Sequence, residues 1–334
     1  MIDCQRYMKN LIAKLRCLGL VLALVPVCAF GATYDWGGSV RLRGEVKNNL
    51  DFDDSSQDYT LIQSRLAGSV IFNSHWRVET ELQDARILGE TIEGTPSING
   101  NALNQTFADD LDIHRFAIQY SAENLDIRLG RQKLNLGDKR LVASLEWVNT
   151  ARVHDGLRVD FSLDDLSLSA FVTELVSIDP NSLNDGADTA SRYLNSQFNG
   201  VFIEQKHIVG IDVLEAWWLH RRNSSFEDNV HTFGFRVQKN LFGWHTQAQA
   251  SLQRGDFSGD QHDATMAQAS VSKTVANGAL SLSLAWASGD DDLDDERHKT
   301  FDNLYPLNHA YYGALDLVSL QNLRTIELLS LIHI

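Results

Sequence analysis

The sequence predicts an all-β protein, a transmembrane antiparallel up-and-down β-barrel carried behind an N-terminal signal peptide. Three observations predict it. Strand-length stretches that alternate apolar and polar side chains recur at roughly twenty-residue intervals. The connections between them alternate between short turns and longer loops. No stretch of the mature chain reaches the roughly 18 apolar residues that mark a membrane helix.

The N-terminus comes first. Arg6, Lys9, Lys14 and Arg16 form a positive region, Cys17 to Phe30 an apolar one, and Ala29-Phe30-Gly31 supplies the small residues a signal peptidase needs. The apolar stretch is shorter than the roughly 20 residues of a membrane helix. A lipoprotein signal at Cys28 is disfavoured, because Val27 stands where Gly or Ala is wanted. Cleavage is expected between Gly31 and Ala32, giving a signal over 1–31 and one barrel domain over 32–334. Intact-mass measurement of the mature protein checks the cut, and a diacylated Cys28 would overturn it. Cys4, Cys17 and Cys28 all lie in the signal, so no disulfide framework holds the mature chain.

Net charge is −15 for the whole sequence, and removing the signal takes away four basic residues against Asp3 alone. Such an acidic chain lacks the basic footprint of a nucleic-acid binder.

The first strand is the clearest. Trp36, Gly38, Val40, Leu42, Gly44 and Val46 share one face, and Gly37, Ser39, Arg41, Arg43, Glu45 and Lys47 share the other. Farther on, Trp76, Val78, Thr80 and Leu82 oppose Arg77, Glu79, Glu81 and Gln83. Leu125, Ile127 and Leu129 oppose Asp126 and Arg128. The stretches 244–253 and 280–287 repeat the pattern, and less regular strands fall near 60–72, 113–120, 156–161, 166–174, 231–238, 264–273 and 320–331. Over 198–205 and 208–218 both faces carry apolar residues, and the phase stays open. The count is about 14 strands.

Short connections fall near 73–75, 121–124, 162–165, 206–207, 239–243 and 276–278. Longer ones fall near 48–58, 84–110, 132–154, 176–197, 220–229, 254–263 and 288–319. A soluble sandwich has no reason to sort its loops this way, whereas an outer-membrane barrel puts short turns on the periplasmic side. Aromatics at strand ends (Trp36, Phe72, Trp76, Tyr120, Phe161, Trp244, Trp286) suit interfacial girdles. The expected surroundings are outer-membrane lipid and lipopolysaccharide.

On the inward faces, Arg41, Arg43, Lys47, Arg65, Arg77, Arg115, Arg128, Arg158 and Arg236 outnumber Glu45, Glu79, Glu81, Asp126 and Asp160. The acids gather instead in loops, around Asp51–Asp58 and from Asp290 to Glu296. Two readings stand: a lumen whose field favours anions, or arginines laced to carboxylates for stability alone. The acidic loops do not match the spacing of a calcium-binding loop, so they read as solvated charge rather than a metal site. No G-x-S-x-G, H-E-x-x-H or C-x-x-C motif occurs in the mature chain. No enzyme activity, metal or other cofactor is expected.

Two stretches resemble the alginate-export family of outer-membrane porins. One is Gly130-Arg131-Gln132-Lys133-Leu134-Asn135-Leu136-Gly137-Asp138-Lys139-Arg140-Leu141, continuing through Glu146-Trp147-Val148-Asn149-Thr150-Ala151-Arg152 to Asp155-Gly156-Leu157-Arg158. The other runs from Ala287-Ser288-Gly289-Asp290 to Thr300-Phe301-Asp302-Asn303-Leu304-Tyr305-Pro306, His309, Tyr311-Tyr312-Gly313 and Asp316. The resemblance implies a monomeric 18-stranded barrel that passes anionic saccharides, with Arg131, Gln132, Asp138, Arg140, Trp147, Asn149, Arg152 and Asp155 as pore-constriction residues. A guanidinium suits a carboxylate, and Trp147 suits a sugar face; a packed loop held by internal Arg–Asp pairs accounts for the same residues. The family carries about four further strands and bacterial barrels end on an aromatic, so the stop at Leu331-Ile332-His333-Ile334 points to a fragment. The segment 130–158 joins two strands, carries more basic than acidic residues, and is long enough to fold back into the lumen. The competing expectation is a structural or adhesive barrel with a plugged lumen.

Overall fold

The computed structural model describes residues 31–48, 56–88, 107–178, 196–275, 278–292, 294–313 and 317–332. The signal segment up to residue 30 and the acids Asp51, Asp53 and Asp54 lie outside them. In chain order the strands are β1 (Thr33–Asn48), β2 (Ser56–Ile71), β3 (Trp76–Leu88), β4 (Asp109–Ser121), β5 (Leu125–Gln132), β6 (His154–Leu163) and β7 (Leu166–Leu175). There follow β8 (Gln197–Ile208), β9 (Ile211–Asn223), β10 (Asp228–Leu241), β11 (Trp244–Phe257), β12 (Asp260–Val275), β13 (Gly278–Ala287), β14 (Arg297–His298) and β15 (Leu323–Ile332). One short helix, α1 (His309–Tyr312), sits before β15. Every strand from β1 to β13 pairs antiparallel with its sequence neighbour, β13 pairs with β15, and β14 lies parallel beside β12. Among the described residues no helix is long and apolar enough to cross a membrane.

The alternation read from the sequence sets the two faces of this sheet. Trp36, Val40, Leu42 and Val46 of β1 are 69–80% exposed on the outer face, where lipid, not water, is the partner that such a row requires. Leu129, Leu157 and Val172 continue that face over β5, β6 and β7. On the inner face of β3, Glu81 and Gln83 are buried. Trp76 and Tyr120 face each other across β3 and β4 at the short-turn end, with ring centroids 5.0 Å apart. Leu42→Arg should therefore impair assembly more than Arg43→Leu, since an arginine at mid-membrane on the lipid face costs about 2–4 kcal/mol. Heat-modifiable gel mobility of membrane-extracted protein reads the ranking.

Two expectations about the loops need correction. The connections near 220–229 and 254–263 are not long: β9 and β10 meet through 224–227, and β11 and β12 through 258–259. The strands run on past the apolar belt, with Arg222, Asn229, Arg254 and Asp256 on the outward positions, and the backbone ladder continues there. A second feature had no sequence signal. In the β3–β4 pairing Glu81 faces Arg115 while Leu82 faces Ile113, so His114 is the extra residue of a β-bulge. The bulge turns His114 and Arg115 to the same side.

The interior is not an open pipe. Loop 133–153 and the stretch Thr300–Tyr312 both fold inside the sheet and join each other through a bridge between Val142 and Tyr305. Leu134, Leu136, Leu141, Val142, Phe301, Leu304 and Tyr305 from these segments form one apolar cluster with Phe171, Phe198, Trp217, Leu219, Met266 and Ala285 from the inner wall. That filling fixes the phase left open earlier. Phe198, Gly200 and Phe202 of β8 and Glu215, Trp217 and Leu219 of β9 face inward, against the loops. Both faces of these strands are apolar because one meets lipid and the other meets a protein core.

Candidate functional site

With the β7–β13 side filled, the charged residues converge on the inner face of β1 to β6. Arg41 of β1 donates through Nη1 to the carbonyl of Glu146 and through Nη2 to that of Val148, each at 2.8 Å. Arg43 donates to the carbonyl between them, on Trp147, and its guanidinium lies 4.4 Å from the Trp147 ring centroid. Its Nε is 2.6 Å from Glu45. Arg65 of β2 donates to Glu146 Oε2 at 2.6 Å and to Gln83 Oε1 at 2.8 Å. Lys133 reaches the other oxygen of Glu146 at 2.8 Å and Glu81 at 3.6 Å. Arg115 binds Glu81 at 2.8 Å. Burial alone would raise the Glu146 carboxyl, but its hydrogen bonds to Lys133 and Arg65 hold it at about 2. This ion contact is therefore fully present above the ordinary carboxylate range and is lost only as pH falls through about 2.

Below this cluster lies a second basic level. Arg128 of β5 and Arg158 of β6 are direct cross-strand neighbours. Arg128 donates to Gln119 at 2.9 Å and Arg158 to Asp160 at 2.9 Å. Two like charges opposite each other destabilise a strand pair, and Asp160, 2.8 Å from Arg158, offsets part of that here. Between the levels the wall is thin-skinned: Gly130 and Gly156 are also in register. A Cβ on either would stand 2.3 Å from the carbonyl oxygen of Phe116 or 2.2 Å from that of Val172, so neither position admits a side chain. Gln132, buried, lies over the pair, with Nε2 3.1 Å from the Gly156 carbonyl.

The remaining expected constriction residues fall into three groups. Trp147 is 41% exposed and stacks on His309 with centroids 4.1 Å apart, which ties loop 133–153 to the other long segment. Asn149, fully buried, donates to the carbonyls of Ile62, Arg86 and Phe107, while Gln63 and Gln83 donate to the carbonyls of Asn149 and Thr150. Asp138, Arg140 and Arg152 are also loop braces. Arg140 donates to the Tyr312 hydroxyl at 2.7 Å, lies 3.7 Å from the Tyr311 ring centroid and 3.6 Å from Asp138. Arg152 donates to the Pro306 carbonyl at 3.0 Å.

Arg131 and Asp155 need correction as lumen residues. They are register partners joined by two hydrogen bonds of 3.0 and 2.9 Å. Arg131 alternates with Leu125, Ile127 and Leu129, and Asp155 with Leu157 and Phe161, so the pair sits on the outward face. The β5–β6 register runs without a shift through Gly130 and Gly156.

Several residues that hold the site gave no sequence signal. Arg221 of β9 is fully buried, with Asp228 at 2.7 Å and Asp302 at 2.8 Å, both carboxylates also fully buried. Gln253 clamps the Asp302 backbone from both sides, accepting from its N–H at 2.7 Å and donating to its carbonyl at 2.8 Å. The Thr300–Pro306 stretch is thus the bolt of its loop. In the acidic run, Lys299 binds Asp291 and Asp295 at 3.1 and 2.9 Å, and among the described residues no His/Cys/Asp/Glu group is placed to hold a metal ion.

Comparison with known proteins agrees with this architecture. Solved structures from Pseudomonas aeruginosa share the fold. OccK9 (OpdG) is 15% identical, with a TM-score of 0.53 over 78% of this chain and 69% of that one. OpdK with vanillate is 16% identical, with a TM-score of 0.52 over 78% and 68%. OccK2 (OpdF) in complex with glucuronate is 14% identical, with a TM-score of 0.50 over 79% and 66%. The chain spans about two thirds of the length of each. No curated protein matches it in sequence. The family model described as alginate export matches residues 33–333, nearly the whole described chain. The protein belongs to the alginate-export family of outer-membrane β-barrels.

Proposed function

We propose that this barrel is a channel that passes anionic solutes, acidic oligo- or polysaccharides such as alginate among them, along the arginine-lined half of its lumen. The observation that carries the reading is the convergence of Arg41, Arg43, Arg65, Arg115, Arg128, Lys133 and Arg158 on one inner wall of an acidic protein. Arg41 is answered there by peptide carbonyls, which orient a guanidinium without cancelling its charge. Inside a narrow lumen such charges act at a lower effective dielectric than on the surface. Rings of arginine and lysine select anions in pores. The ligands named with two solved neighbours, glucuronate and vanillate, both carry a carboxylate, the group that a guanidinium pairs with best.

Reversal potentials in a salt gradient test this. Wild type should prefer anions, Arg128→Ala should weaken the preference, and Arg131→Ala should leave it unchanged because that side chain faces outward. A change at Arg131 equal to that at Arg128 would remove the wall from the explanation. A plugged structural or adhesive barrel has one observation in its favour, the two segments packed inside the sheet. Absence of single-channel conductance would support that reading instead.

A further inference from the structure

The wall arginines are already occupied, and by something that resembles a ligand. The segment Glu146–Val148 lies along them, presenting a carboxylate and three carbonyl oxygens to three guanidiniums and one ammonium. Glu146 Oε2 meets Arg65 at 2.6 Å, its Oε1 meets Lys133 at 2.8 Å, and its carbonyl takes Arg41 at 2.8 Å. The carbonyls of Trp147 and Val148 take Arg43 and Arg41. An acidic sugar would offer the same set: one carboxylate beside several neutral oxygens. The exposures give the order of layers. The Glu146 side chain is 43% exposed, whereas Arg65 and Lys133 are 11% and 23% exposed beneath it. The Glu146 carboxylate is therefore the most accessible member of this contact, and Arg65 the least.

We propose that Glu146 is an internal stand-in for the solute carboxylate, filling a carboxylate-binding position made by Arg65 and Lys133 until an acidic sugar displaces it. The proposal rests on the channel function above and adds the residue that sets its affinity. Exchange of one carboxylate for another keeps the charge on the cations balanced at both ends of the step. Neither form leaves Arg65 and Lys133 facing each other unpaired. Conduction needs binding strong enough to admit a solute and weak enough to release it, and a competing internal carboxylate provides the second half. Glu81 holds the far side of Lys133 at 3.6 Å and of Arg65 at 3.8 Å, which keeps both cations in place while Glu146 is away. The Trp147–His309 stack anchors the adjacent residue to the other long segment, so displacement needs only the glutamate side chain to turn aside.

The test is current block by sodium galacturonate on single channels of the whole protein. Wild type should show brief, weak block. Glu146→Gln removes the competitor, and the half-blocking concentration should fall roughly tenfold, the scale of one charge-assisted contact. Glu146→Asp keeps the carboxylate and should stay near wild type. Equal block in wild type and Glu146→Gln would overturn the stand-in while leaving the channel reading intact. A wild-type pore that galacturonate neither blocks nor crosses would overturn the channel reading itself. A second measurement needs no change at position 146. Galacturonate titrated into the folded wild-type protein should alter Trp147 emission, and the change should vanish in Trp147→Phe. A titration with no change in emission would overturn the proposal.

Discussion

Arg221→Ala should produce the largest loss of stability of any single substitution in this barrel, about 3–5 kcal/mol. The guanidinium is fully buried between Asp228 and Asp302 and donates to both. Removing it takes the guanidinium from two buried carboxylates, and a buried charge that loses its partner is what makes such deletions costly. Asp228 also accepts from the Ser258 backbone, and Asp302 from that of Leu304, so the loss spreads to the β11–β12 turn and to the 288–322 segment. Urea titration of the refolded protein, followed by heat-modifiable mobility, measures it. Pairing Arg221→Met with Asp228→Asn and Asp302→Asn should recover much of the loss, because no uncompensated buried charge is left. An Arg221→Ala midpoint equal to wild type would show the triad to be open to water.

Phe301→Ala should change conductance more than any substitution in the wall. Phe301 is fully buried in the apolar cluster that seats the inner segments, and its N–H donates to the Ser288 carbonyl at 3.1 Å. Truncating a buried phenylalanine costs about 3–5 kcal/mol. Here that cost falls on the seating of a loop more than on the strand ladder, which keeps its backbone hydrogen bonds. The expected result is a barrel that still assembles but whose inner segment leaves its seat, giving larger and noisier single-channel steps. Phe242→Ala, at a 98% exposed turn position, serves as the control and should leave the steps unchanged. Steps of wild-type size in Phe301→Ala would mean that the segment is held by the Arg221 and Gln253 contacts alone.

The strand grammar was legible because lipid imposes it: β1 tolerates only apolar residues at Trp36, Val40, Leu42 and Val46, so period two survives in the sequence. The same period of two applies to Arg131, which follows Leu129 at an interval of two, but its assignment as a constriction residue came from the family motif and did not use that parity. Where lipid stops, the grammar stops. Arg222, Asn229, Arg254 and Asp256 read as loop because their outward positions are polar, although the hydrogen-bonded ladder runs on into water. The β8 and β9 phases were illegible for the opposite reason, a second apolar neighbour on the inside. The bulge at His114 leaves no compositional trace, and Arg221 and Asp302 lie 81 residues apart, a distance across which no spacing rule operates.

The bridge between Val142 and Tyr305 has a mechanical meaning. It makes one body of two segments that enter the sheet from opposite ends of the chain's second and last thirds. Backbone hydrogen bonds between Tyr305 and both Leu141 and Ala143, and between Leu307 and Lys139, reinforce the bridge, so a displacement of either segment pulls on the other. Substitutions that loosen the Tyr305 end should then be felt at Trp147, whose ring rests on His309 of the same segment.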